Sequence, residues 1–156
     1  MLGVNTQTTA TGLTLTTTTS ADANGIYGGR VVFFNGTANT GYDWATSTGT
    51  GPFTLSGLAT GGYSAMVVGA TSDALNTRVA GAGITLTGAH THNSLKLEGS
   101  SGTLALGANL LTLTSGGLLV TGTTATTISN TAGATGLTGG NGSGAYDLVI
   151  HQSDLS

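Results

Sequence analysis

Leu95-Lys96-Leu97, Leu104-Ala105-Leu106, Leu111-Thr112-Leu113 and Leu118-Leu119-Val120 are the runs that decide how this chain folds. Alternate residues in such a run leave a short strand on opposite faces, apolar side chains on one and polar ones on the other. Turn-forming stretches separate them: Gly99 to Gly102, Gly107 to Asn109, Ser115 to Gly117, and Gly122. The spacing is regular. Leu95 precedes Leu118 by 23 residues, Leu104 precedes Ile128 by 24, and Leu113 precedes Leu137 by 24. Three short strands per turn of about 24 residues mark a right-handed parallel β-helix, whose coils bury their inner faces only by stacking on one another. Adjacent coils would lie ~4.8 Å apart. Leu95, Leu104, Leu113, Leu118, Ile128 and Leu137 would form the interior ladder, with Lys96, Glu98, Thr112 and Asp147 facing water.

A β-sandwich of hairpins is the rival arrangement. It needs strands of ~5–6 residues and two-residue Asn-Gly turns. Asn24-Gly25, Asn35-Gly36 and Asn141-Gly142 are present but fall mostly outside the periodic stretch, which favours the solenoid. Upstream the pattern loosens. Arg30 to Phe34, Tyr63 to Val68 and Thr85 to Thr87 read as strands, whereas Gly41 to Gly51 reads as a Gly/Thr/Ser loop holding the only tryptophan, Trp44. Residues 1–89 are therefore expected to form irregular N-terminal coils with longer loops, and residues 90–156 regular β-helix coils, in one continuous domain. Helix is disfavoured because 28 glycines and 32 threonines interrupt nearly every window of helical length. The best helical candidate is Ala70 to Ala80, with Ser72 or Asp73 as its cap.

Composition excludes several functions. Only 6% of residues are charged, against roughly 25% in an average soluble domain. Arg30, Arg78 and Lys96, in a chain of net charge −3, cannot neutralise a phosphate track, so nucleic acid is excluded as a partner. A single proline and a slightly positive mean hydropathy argue against disorder. No apolar run exceeds four residues, so no membrane-spanning segment is expected. Without cysteine there are no disulfides or thiolate metal sites, and no cofactor is expected. Met1 to Asn5 lacks the basic and apolar regions of a signal peptide, so the chain reads as a fragment.

Asn93-Ser94-Leu95-Lys96-Leu97, the run Gly102 to Gly107, the run Leu111 to Val120, and Tyr146-Asp147-Leu148-Val149-Ile150-His151-Gln152 resemble bacterial autotransporter-associated β-strand repeat proteins. The resemblance covers residues 90–156, and Arg30 to Phe34 more loosely. It implies an extracellular right-handed β-helix within a long secreted or cell-surface passenger protein. It supplies no catalytic residue, and no membrane barrel is expected in this chain.

Candidate chemistry is sparse. His90-Thr91-His92 puts two imidazoles on one strand face, half of a metal site; with no carboxylate near in sequence, solvated histidines at a turn are the plainer reading. Asp22, Asp43 and Asp73 do not follow the coil period, so they read as turn-stabilising residues rather than paired acid/base groups. His151 shares a face with Asp147, but no serine has a nucleophile elbow around it. Thr14-Leu15-Thr16, Thr85-Leu86-Thr87 and Thr112-Leu113-Thr114 repeat the Thr-x-Thr pattern of an ice-binding wall, yet the pattern skips coils. Tyr27, Tyr42 and Trp44 beside Asp43 suit stacking on a sugar ring, or capping of an open coil end. The chain is thus expected to be no enzyme but a rigid structural stalk or fibre segment. The alternative is a glycan-binding module using Trp44, Tyr42 and Asp43. Ice binding and glycan cleavage rank behind. A cell-surface glycan and self-association through open ends around Leu148 to His151 are the expected partners.

Overall fold

The computed structural model describes residues 14–34, 41–99, 102–133, 136–140 and 147–153. Among them the chain is all-β. Its strands are β1 (Thr16–Thr17), β2 (Val32–Phe34), β3 (Tyr42–Thr48), β4 (Phe53–Gly57), β5 (Ser64–Ala65), β6 (Thr71–Ser72) and β7 (Asn76–Gly81). They continue with β8 (Ile84–Thr85), β9 (His90–Gly99), β10 (Thr103–Ala105), β11 (Leu110–Gly122), β12 (Thr127–Ser129), β13 (Gly136–Gly139) and β14 (Val149–Gln152). Two 3-10 turns, Gly28–Arg30 and Thr60–Gly62, are the helical structure of the described residues, and no helix there is long and apolar enough to cross a membrane. The stretch Ala70 to Ala80, the best helical candidate of a chain in which helix is disfavoured, holds β6, a turn and the start of β7. Asp73 Oδ1 accepts the Leu75 N–H at 3.0 Å, which holds a turn, and Asn76 to Gly81 pair with β9.

The first four strands form an antiparallel sheet of order β1-β4-β3-β2. This corrects two expectations. Residues 1–89 do not form coils throughout, because among the described residues up to Gly57 neighbouring strands pair antiparallel, whereas stacked coils pair parallel. Trp44 does not sit in a loop either. Tyr42 to Thr48 is a strand paired on both sides, and positive φ at Gly49 and Gly51 lets the chain turn back sharply into β4. Of the Asn-Gly dipeptides, Asn24-Gly25 lies in a turn closed by the Gly25 N–H on the Asp22 carbonyl at 3.0 Å. Those at 35–36 and 141–142 lie outside the described residues.

Among the described residues from Ser64 onward, every pairing is parallel. One sheet runs β13-β11-β9-β7-β5, with β14 on β11 and β6 on β9; the other runs β12-β10-β8. From β7 to β13 the chain visits the two sheets in turn, so strands distant in sequence come into register. Leu95 lies beside Leu118 and Leu104 beside Ile128, at the spacings read from the sequence. Leu137 departs from that reading: it pairs with Leu111, while Leu113 lies beside Gly139. The connection before β13 sets this offset. Only glycine suits position 139, where an added Cβ would sit 2.9 Å from the Asp147 carbonyl oxygen.

Two apolar clusters lie on opposite faces of β11. Leu118 points between the parallel sheets, into a cluster with Leu95, Leu97, Leu104, Leu106, Leu111 and Leu113, against which Ile128 and Leu137 pack half-buried. Leu119 leaves the strand by the other face and meets Ile26 and Trp44. The antiparallel sheet therefore covers the outer face of the large parallel sheet. That second layer makes the candidate site.

Candidate functional site

On the covered face, register aligns Arg78 of β7, Lys96 of β9, Leu119 of β11 and His151 of β14 in one row across the sheet. Lys96, expected to face water, is only 2% exposed. Its ammonium donates to Asp43 Oδ1 of β3 at 2.6 Å and to Glu98 Oε1 at 2.8 Å. Glu98 Oε2 is held by Arg78 Nη1 at 3.2 Å. The Tyr63 hydroxyl donates to Asp43 Oδ1 at 3.1 Å and accepts the Trp44 backbone N–H at 3.3 Å. The ammonium also lies 5.5 Å from the centre of the Tyr63 ring. Burial first, then the Asp43 charge, raises the Tyr63 phenol above its ordinary value, so it stays a protonated donor. Two cations and two carboxylates thus neutralise one another where single charges would be costly. Asp43 is therefore no turn residue, and the chain does assemble a charged cluster. Sequence reasoning missed it because Asp43 and Lys96 are 53 positions apart.

The same layer removes the basis for sugar stacking. Trp44 is 0% exposed, packed among Ile26, Leu119, Val32, Tyr42, Leu58 and Tyr63. Tyr42 is half-buried against Phe34, ring centres 4.5 Å apart. Tyr27 donates its hydroxyl to the Thr19 carbonyl at 2.7 Å. Trp44, Tyr42 and Asp43 therefore do not present a joint surface to a glycan.

A second polar group lies inside the parallel sheets. His90 and His92 stand in register with Leu111 and Leu113 and are 1% and 2% exposed, not solvated at a turn. His92 Nδ1 lies 2.9 Å from Asp73 Oδ1, and His92 Nε2 lies 3.3 Å from His90 Nδ1. The Asp73 carboxylate faces Nδ1 and so accepts a proton carried there, while Nε2 and His90 Nδ1 share the other contact. His90 Nε2 is buried with no hydrogen-bond partner among the described residues. The carboxylate absent from the local sequence thus comes from the turn after β6. Asp73 also holds that turn, and Asp22 holds its own by accepting the Asn24 and Ile26 N–H groups at 2.9 and 3.0 Å. Among the described residues no group of three or more His, Cys, Asp or Glu is placed to hold a metal. His151 and Asp147, read from the sequence as sharing a face, take different partners. Asp147 bonds Arg30 at 2.8 Å, while His151 packs edge-on to Trp44, 5.8 Å between ring centres.

His90 and His151 are expected to make the fold acid-sensitive. Burial is the leading cause that lowers both His90 and His151 below the usual 6.5. The unfolded chain takes up those protons near 6.5 while the folded chain does not, so stability falls as pH drops through that value and levels below the folded-state values. The urea midpoint should therefore decrease between about pH 7.5 and 5.5. The double variant His90→Leu, His151→Phe should flatten this slope; an unchanged slope would assign it to other groups.

Side-chain polarity also forms a ladder at the bend of the large sheet. Asn76 Oδ1 accepts from Asn93 Nδ2 at 2.8 Å and from Ser94 Oγ at 2.9 Å, and Asn76 Nδ2 reaches the Asn24 carbonyl at 2.7 Å. The Thr-x-Thr pairs, in contrast, are dispersed: Thr16 lies in the antiparallel sheet, Thr85 in the small parallel sheet and Thr112 in the large one. They make no common wall. Comparison with protein-family models, curated proteins and solved structures found no match.

Proposed function

We propose that this chain is a structural segment of a bacterial secreted or cell-surface passenger protein, a rigid, non-catalytic stalk or fibre. In this reading the parallel part is a right-handed β-helix with three short strands per coil. The observation that carries it is the split pairing of β11, whose Leu110 to Leu113 part pairs with β13 while Gly117 to Val120 pairs with β14. In this reading one long strand serves two walls, and β12 supplies a third. Repeated stacking of this kind gives a rod whose cross-section is filled by leucine ladders. The resemblance of residues 90–156 to autotransporter-associated repeats supports the extracellular setting. Ile150, exposed on β14, suits self-association through the strand edge.

Two measurements test the reading. Leu104→Ala should cost ~2–5 kcal/mol, and Ile128→Ala less because it is half-buried; losses below about 1 kcal/mol at both positions would overturn the stacked core. Antibodies raised against the chain should label intact cells that make the full protein. Labelling that appears only after permeabilisation would remove the surface role.

A further inference from the structure

We propose that Lys96 and Asp43 form an intramolecular isopeptide bond, with Glu98 carrying the protons, which welds β3 to β9 across the two layers. The parts of an amide-forming site are assembled here. The amine nitrogen lies 2.6 Å from Asp43 Oδ1, which leaves the carboxyl carbon one C–O bond beyond. Held together by the fold, nucleophile and electrophile react as one molecule, with no entropy of encounter. A second carboxylate, Glu98, touches the same nitrogen at 2.8 Å. Its far oxygen is anchored by Arg78, so the near one is oriented on the nitrogen as a proton acceptor. Tyr63, kept protonated by burial and by the Asp43 charge, donates to Asp43 Oδ1. That oxygen is where negative charge develops when the nitrogen adds, so the phenol acts as an oxyanion donor. Lys96 is almost wholly enclosed, and enclosure limits the water that would compete for the site.

The reaction balances within the ion pair. Lys96 Nζ adds to Asp43 Cγ, a C–N bond forms, and one carboxyl C–O bond breaks. Of the three ammonium protons, two depart with that oxygen as water, delivered by Glu98, and the third remains on the amide nitrogen. No other reactant enters. Asp43 rather than Glu98 is the acyl donor because, of the two carboxylates, it receives the Tyr63 hydroxyl. The product joins strands that are otherwise connected only through the intervening chain. A layer held by side-chain packing becomes one held by a covalent bond.

Intact mass and tryptic digestion of the folded wild-type chain test this directly. Arg30, Arg78 and Lys96 are the only Lys or Arg residues, so an unlinked chain yields peptides 1–30, 31–78, 79–96 and 97–156. The expected result is a chain lighter by one water whose digest contains 31–78 joined to an uncut 79–156, because trypsin does not cleave at an acylated lysine. Fragmentation should place the junction at Asp43 and Lys96. A full-weight chain cut after Lys96 would overturn the proposal and leave an ion pair. Loss of water with normal cleavage after Lys96 would indicate a cyclised aspartate and also overturn it. An uncut 79–156 lighter by one water and not joined to 31–78 would put the bond on Glu98 and refute the assignment to Asp43. Glu98→Gln should reduce the linked fraction formed in a fixed time by about tenfold or more; unchanged linkage would refute its role as proton carrier.

Discussion

Trp44→Ala is expected to destabilise the fold by about 3–5 kcal/mol, as large aromatic truncations in closed cores do. Trp44 is wholly buried where the antiparallel sheet lies on the parallel one, and among the described residues its cluster contains only two other fully buried side chains, Ile26 and Leu119. So small a cluster has few side chains able to move into the space left behind. The indole Nε1 has no hydrogen-bond partner among the described residues, so Trp44→Phe removes a buried donor along with some volume. It should lose no more than about 1.5 kcal/mol. Denaturant titration of both variants checks the pair. Equal, small losses would mean that the layer contributes little to stability. A large loss confined to alanine would identify the ring itself as what holds the two sheets together.

Gly117→Ala should cost about 3 kcal/mol or more, the upper end of overpacking penalties. A Cβ at that position would collide with Gly29 Cα and lie 2.9 Å from the Trp44 ring. Neither neighbour can give way easily. Gly117 is paired on one side with Ser94 and on the other with Val149, and Trp44 is enclosed. Gly29, in the 3-10 turn at Gly28–Arg30, meets the same obstacle from its own side, since its Cβ would collide with Gly117. This glycine pair is a backbone-to-backbone contact that any side chain would prevent. Gly61→Ala is the control: a Cβ there meets nothing within 4 Å, and the change should fall within about ±0.5 kcal/mol. A similar value at Gly117 would show that the layers can separate without loss.

Both predictions concern the junction of the two layers, which is also where sequence reading stops. The parallel half is legible because its information is local and repeated. An alternating strand, a glycine turn and the next strand recur at nearly constant spacing, which places Leu95 beside Leu118 and Leu104 beside Ile128. The ladder misplaces Leu137 because an interval of 24 holds only while connections keep their length; the Leu111–Leu137 register needs two more residues. Trp44 reads as a loop residue because glycine, threonine and serine surround it, and in this chain those residues build strands as well as turns. His90 and His92 read as solvated because the carboxylate that anchors them, Asp73, belongs to another strand connection.

By itself the sequence determined the all-β class, the parallel register of the leucine runs and the lack of an extended basic surface. Each follows from alternation, repeat spacing or charge count, all properties of short segments. Only the tertiary structure decided which faces are covered. Alternation tells by which face Lys96 leaves its strand, but not that β3, 53 residues away at Asp43, lies over that face. Burial of a charge, enclosure of Trp44 and the approach of Gly29 to Gly117 depend on long-range packing. The chain encodes them only through the shape in which the two layers fit.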